Sequence, residues 1–451
     1  MNLAGCYSHS LELPHSLRAH KRARVVTDAI TTLVLSIKLV GNTIKILTVV
    51  GARPNFMKAG PIIRAIEEYN RAGKELRIEN LLVHTGQHYD PLMSQAFFAD
   101  LGLPTPNVDL GVGSGSPASQ TAEILRKLET VLTGECPDVV IVVGDVNSTV
   151  AAALAAAKLP VTQGQHRPLI AHVEAGLRSF DREMPEEINR IVTDHLADLL
   201  FVTEKSGLVN LRRERIPAER SFFVGNTMID SLLAFKHRAD ESRILEKLGL
   251  RGHSEQGVAP ALSSYALLTL HRPSNVDESR TLDSIFEGLS NLAQKMEIIF
   301  PVHPRTRNRI EEFGANWHVQ GREGKSRRIR FIDPLGYVDF LCLMKNARIV
   351  LTDSGGIQEE TTCLGVPCVT IRNNTERPVT VKHGTNVIAG TSPRGIQQAI
   401  ARQLARRVKP CMPEKWDGRA AERIVTILAN SARREVSTEA QEDSSCTVDA
   451  R

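Results

Sequence analysis

No stretch of this chain carries the roughly 18–20 consecutive apolar residues that a membrane-spanning helix needs. The nearest approach, residues 25–40, is broken by Asp28 and Lys38 and is followed by no small-residue cleavage signature. Cysteine is sparse and scattered. The seven residues (Cys6, Cys136, Cys342, Cys363, Cys368, Cys411 and Cys446) are odd in number and form no C-x-x-C pair, which argues against a disulfide framework or a zinc site. A reducing, cytoplasmic setting is therefore expected. Neither sign of charge dominates: a formal net charge of +5 is too small to suggest nucleic-acid binding, although a slight positive excess suits a small anionic substrate.

What is present belongs to a soluble globular protein, with 42% hydrophobic and 24% charged residues. A chain of 451 residues exceeds what one hydrophobic core usually organises, so two domains are expected. Residues 1–42 are read as an extension without stable order, and residues 433–451, polar from Ser437 onward, as a disordered tail. Between them, short β-branched runs alternate with helical patterns, the sign of βαβ units around a parallel sheet. The first series of strands is expected at 44–50, 81–84, 139–144, 169–174, 199–203 and 222–224. Apolar periodicity fades over 251–257, where the linker is placed. A second series follows at 265–270, 298–302, 330–332, 349–351, 368–371 and 387–388. The expected domains are thus 43–240 and 258–432, both Rossmann-like, with ligands at the strand C-termini and a cleft between the two sheets.

Several segments at those C-termini carry chemistry. The first strand runs into Gly51-Ala52-Arg53-Pro54-Asn55-Phe56-Met57-Lys58, a glycine turn followed by two cations that suit a diphosphate: Arg53 as a bidentate fork, Lys58 as a point charge. In the second series, Thr352-Asp353-Ser354-Gly355-Gly356 closes a strand and opens a helix. Free N–H groups and the helix dipole there make an anion site, unless Asp353 or Ser354 is merely an N-cap. Glu360, one helical turn later, suits ribose hydroxyls. Asp145, Glu174 and Glu186 stand at strand or helix ends of the first domain and would serve proton transfer if they converge. The bland alternatives are a cap for Asp145 and helix-dipole complementation for Glu186 and Glu187. His271-Arg272 and His303-Pro304-Arg305 both follow strands of the second domain.

Taken in order, VVGARPNFMK, HTGQHYD, VVGDVNST, HVEAGLRSFDREMPEEINR, FVGN, TLHRPSNVD, FPVHPRT, DSGGIQEE and NNTERP resemble the non-hydrolysing UDP-N-acetylglucosamine 2-epimerases over residues 45–423. The resemblance implies a GT-B-like fold and inversion at C2 of a UDP-linked acetamido sugar, by elimination of UDP through 2-acetamidoglucal and re-addition. It places Asp145, Glu174, Glu186 and His271 at the family's catalytic positions. Arg53, Lys58, Arg272, His303, Ser354, Gly355, Gly356 and Arg377 fall around the UDP diphosphate or close to the cleft beside Glu376, and Glu360 at the ribose. It further implies a homodimer and no metal or nicotinamide cofactor. Gln87 and His88 match the region where many members bind a second substrate molecule as activator. Asn55 and Pro273 depart from the family, standing where some members carry a charge.

Three rival functions use the same fold. A hydrolysing epimerase would release free N-acetylmannosamine, and a glycosyltransferase would need an acceptor site and show no exchange at C2. A non-catalytic nucleotide-sugar binder has no use for three acids. A close relative acting on a modified UDP-sugar, such as a diacetamido uronic acid, differs only in pocket detail.

Overall fold

The computed structural model describes residues 42–87, 102–160, 167–252, 262–302, 304–313, 329–406 and 409–442. In the first unit β1 (Thr43–Val50), α1 (Arg53–Arg71), β2 (Arg77–His84) and β3 (Val108–Asp109) are followed by α2 (Pro117–Glu135), β4 (Val139–Val143) and α3 (Asn147–Ala157). Next come β5 (Leu169–Ala175), α4 (Pro185–Leu196), β6 (Leu199–Val202), α5 (Lys205–Arg213), β7 (Ser221–Phe223) and α6 (Thr227–Asp240). The second unit contains α7 (Ile244–Lys247), β8 (Tyr265–Thr269), α8 (Pro273–Val276), α9 (Ser279–Lys295), β9 (Glu297–Pro301), α10 (Pro304–Glu312), β10 (Ile329–Ile332) and α11 (Tyr337–Asn346). It continues with β11 (Ile349–Thr352), α12 (Gly355–Leu364), β12 (Cys368–Thr370), α13 (Pro378–Lys382), β13 (Asn386–Ile388) and α14 (Pro393–Ala405), and α15 (Ala420–Glu442) ends the described chain.

Both sheets are parallel, in the orders β3-β2-β1-β4-β5-β6-β7 and β10-β9-β8-β11-β12-β13. The strand order therefore reverses direction between β1 and β4 in one sheet and between β8 and β11 in the other. A crevice opens at such a reversal, because the connecting helices leave on opposite faces. The loops at the two reversals are those holding Gly51 to Lys58, Asp145, His271-Arg272 and Asp353 to Gly356. Strands β4 and β5 are wholly buried, which explains why they read as unbroken apolar runs.

The expected strands form, with differences that have local reasons. β2 begins at Arg77 rather than 81, because its outer half alternates exposed and buried residues beside a short partner. β5 runs through Ala175, with Glu174 on a bulge against β6 where the register shifts between Val173 and Ala175. The boundary expected at 432 needs correction. Helix α15 continues to Glu442 and packs on α1 and α6 of the first unit, burying Ala421, Ile424, Val425 and Leu428 in the same cluster as Ile62, Ile229 and Leu232. Its approach is pinned by directed bonds: the Asp230 carboxylate accepts from Ala420 N and Ala421 N, and the Trp416 indole donates to Thr203 O. The second unit thus ends near α14. Of the expected linker, 253–257 lie outside the described residues, as do 258–261, 1–41 and 443–451. No helix among the described residues is long and apolar enough to cross a membrane.

Candidate active site

Asn55 explains its own departure from the family pattern. Its Oδ1 accepts from Gly51 N (3.2 Å) and Ala52 N (3.1 Å), and its Nδ2 donates to Val143 O (2.7 Å). One neutral amide therefore ties the turn after β1 to the end of β4, where a charged side chain could not satisfy both donors and acceptor. A side chain on Gly51 would collide with Ser148 and Thr85, so only glycine allows the turn to sit this close to α3.

The three acids of the first unit are placed by different means. Asp145 follows β4 but caps nothing: the N-cap of α3 is Val146, and the Asp145 carboxylate instead receives Arg190 Nη2 at 2.6 Å. Burial by itself would raise the Asp145 carboxyl. The Arg190 guanidinium, with Lys58 and Arg377 beyond it, outweighs that and holds it below the usual carboxylate range. Glu174 has φ of +77°, a left-handed conformation unusual for a side chain of its size, and the bulge turns its carboxylate out of the sheet plane. There it meets Lys58 Nζ at 2.6 Å and accepts from Arg377 Nη2 at 2.9 Å. Glu186 opens α4 one turn before Arg190, hence on the helix face that carries the Arg190–Asp145 contact. Its neighbour Glu187 is the structural acid. Almost wholly buried, Glu187 accepts from Ser179 N, Ser179 Oγ and Phe180 N, each at 2.9 Å, and pairs with Arg190.

Opposite them stands a cationic edge. His271 Nδ1 lies 2.8 Å from Asp353 Oδ1, and its side chain remains 53% exposed. Asp353, fully buried, also accepts from the backbone N–H groups of His271 and Arg272 and from Asn275 Nδ2. Burial would raise the Asp353 carboxyl, but the His271 ring and these donors hold it below the usual range. Neither Asp353 nor the N-cap residue Ser354 spends its side chain on capping α12. The first-turn amides of that helix therefore face the cleft without a side-chain cap, which is what an anion site requires. Gly355 leaves room for the ion pair beside it: a Cβ would come within 2.7 Å of Arg377 Nη1 and Glu376 Oε1 and displace them. Glu360 accepts from the Tyr337 hydroxyl at 2.7 Å.

Arg377 joins the halves. Besides Glu174 in the first unit, its guanidinium meets Glu376 at 2.5 Å and Glu359 at 3.0 Å in the second. The Asn374 amide donates to Asp181 across the same cleft, and Arg272 Nη1 reaches Met184 Sδ. Lys58, expected beside the diphosphate, and Arg377, expected near the cleft, are both buried and paired with Glu174. Arg272, Nη2 3.6 Å from Glu376, is the more available cation. Gln87 lies at the first sheet's edge, its amide oxygen accepting from Ser148 Oγ at 2.8 Å. His88 and His303 lie outside the described residues, and of Arg53 only the backbone, at the start of α1, is described. No cluster of potential metal ligands occurs among the described residues. Sequence reasoning passed over Arg190 and Glu359. The available signal was their position inside the quoted strings, one turn from Glu186 and one turn from Gly355.

Residues 70–429 match the family model described as UDP-N-acetylglucosamine 2-epimerase. The chain belongs to the UDP-N-acetylglucosamine 2-epimerase family. It is 41% identical over 391 residues to the UDP-N-acetylglucosamine 2-epimerase of Methanocaldococcus jannaschii, covering 85% of this chain and 98% of the relative. It is also 39% identical to a UDP-2,3-diacetamido-2,3-dideoxy-D-glucuronate 2-epimerase of Pseudomonas aeruginosa, over 85% and 99% of the two chains. The crystal structure of the M. jannaschii enzyme in complex with UDP-GlcNAc and UDP superposes with a TM-score of 0.75 at 40% identity, covering 86% of this chain and all of that one. The epimerase assignment and the GT-B-like fold expected from the sequence therefore hold.

Proposed function

We propose that this chain interconverts UDP-N-acetylglucosamine and UDP-N-acetylmannosamine by anti elimination and re-addition of UDP. The observation that carries the proposal is the arrangement of Asp145 and Glu174, each held by a cation, on one side, with His271, Arg272 and the α12 N-terminus on the other. A carboxylate takes the C2 proton while the C2–H electron pair forms C1=C2, and the C1–O pair departs with the diphosphate. The released UDP carries the charge that develops, and the α12 amides, Arg272 and His271 stabilise it. A second carboxyl then protonates C2 from the other face as a diphosphate oxygen adds back to C1. Two acids on opposite faces are needed because inversion requires the proton to leave one side and arrive at the other. Asp145, held ionised by Arg190, suits acceptance of the proton. Glu186, one turn before Arg190 on α4, is assigned its return.

The relative in Pseudomonas favours a second reading, in which the sugar is a diacetamido uronic acid. Incubation of the protein in D2O with each UDP-sugar, followed by NMR of the C1 and C2 protons, separates the possibilities. The expected result is UDP-N-acetylmannosamine with deuterium at C2. Exchange only with the diacetamido uronate supports the second reading. Free N-acetylmannosamine with UDP indicates hydrolysis, and binding of UDP without exchange at C2 in either sugar rejects epimerisation.

A further inference from the structure

The three carboxylates around Arg377 are not equivalent. Arg377 Nη1 donates to Glu376 and Nη2 to Glu174, both directed hydrogen bonds. Glu359 Oε1 lies 3.0 Å from Nε but out of line with its N–H, and neither Glu359 oxygen receives a hydrogen bond among the described residues. Glu174 has a second cation in Lys58, and Glu376 has Arg372 at 2.8 Å and Arg272 beyond. Glu359 has no second cation at ion-pair distance among the described residues, and none of its surface is exposed. Three negative charges sharing one guanidinium away from water are expensive, and the least compensated group takes up a proton. The electrostatics agree. Burial first, and then the charge of Glu174, push the Glu359 carboxyl up to about 7, against Arg377, Lys58 and the Asn226 amide. Those groups face it from the segment before α13, from β5, from α1 and from the N-cap of α6, while Cys363 lies one turn on in its own helix.

We propose that Glu359 is a positioning residue for the epimerisation: neutral, it leaves the Arg377 guanidinium on Glu174, and ionised, it draws that guanidinium away and unseats the Glu174 carboxylate. The idea rests on the function proposed above, and it also has a readout that needs no turnover. In the full chain, kcat and KM for UDP-N-acetylglucosamine are measured from about pH 5.5 to about pH 9 for the wild type and for Glu359→Gln, which is permanently neutral. In the wild type kcat is expected to fall at least about tenfold as pH rises through about 7, with KM changing less than about twofold. In Glu359→Gln that fall disappears, and kcat near pH 6 stays within about threefold of the wild type.

Tm supplies the independent arm. Because folding raises the Glu359 pKa from 4.5 to about 7, its stabilising contribution is complete below the lower value and lost as pH rises through the upper one. The Tm of the Gln variant should therefore gain on that of the wild type across this interval. A constant Tm gap overturns the proposal, as does a Gln variant that keeps the wild-type alkaline limb or loses kcat by more than about a hundredfold at every pH. Should the Gln variant not fold, Glu359→Met, neutral and of similar length, is read in the same way. If the wild type does not turn over this sugar but the Tm gap widens, the substrate assignment fails, the protonation of Glu359 stands, and the kcat arm is repeated with the diacetamido uronate, where an unchanged alkaline limb in the Gln variant overturns the positioning role.

Discussion

The C-terminal edges of the two sheets are built alike and furnished with opposite charge. Each has a loop after its first strand and another after the strand on the far side of the reversal, tied together by a buried polar group: Asn55 between β1 and β4, Asp353 between β8 and β11. On the first sheet the β4 loop and the end of β5 carry the carboxylates Asp145 and Glu174, each held by a cation. On the second the loops end in uncapped amides and an exposed imidazole. In the function proposed above, the same scaffold serves proton chemistry on one wall and leaving-group stabilisation on the other. Two histidines make the contrast local. His172, on β5, is fully buried with Nδ1 on Asp194 and Nε2 on Gly144 O, so both ring nitrogens are consumed by the fold. His271 gives one nitrogen to Asp353 and presents the rest of its ring to the cleft.

The largest expected effect tests the acidic wall. Asp145→Asn should lower kcat by about 10²–10⁴, the usual span for a lost acid–base group, while UDP binding measured calorimetrically stays within about threefold. An equal loss of UDP affinity would mean that the two walls are not separable.

Next comes the difference between adjacent acids on α4. Glu187→Ala leaves Arg190 without one of its two buried carboxylate partners, and a broken buried pair of this kind costs about 3–5 kcal/mol, read as a fall in Tm. Glu186→Gln should leave Tm almost unchanged and reduce turnover. The smallest effect sharpens the cationic wall. Gly355→Ala, which drives a methyl into Arg377, should weaken UDP binding about tenfold, or ~1.4 kcal/mol. Gly356→Ala, which meets only the Met228 methyl at 3.2 Å, should cost less than about threefold.

Much of this was legible in the order of residues. Parallel strands covered on both faces read as apolar runs, and the loops at their ends carried the acids, the histidine and the glycine pair by simple position. The left-handed backbone of Glu174 was not legible, because a bulge is set by how two strands pair, not by the residues of one. Arg190 and Glu359 were missed for a related reason. Their partners lie 45 and 18 residues away in sequence, and only the packed structure shows which charges they meet. The return of α15 to the first unit was not legible either, because a helix's apolar face does not say which body it will cover.

That return gives the chain two crossings between its halves, one between α6 and α7, since α7 packs on α11, and another after α14. A single tether would let two bodies swivel and twist about it. Paired tethers leave one easy motion, rocking about the line through both, in the manner of a door on two hinges. Under the proposed function, a motion confined to that line carries the acids of one body against the diphosphate side of the other in a single register.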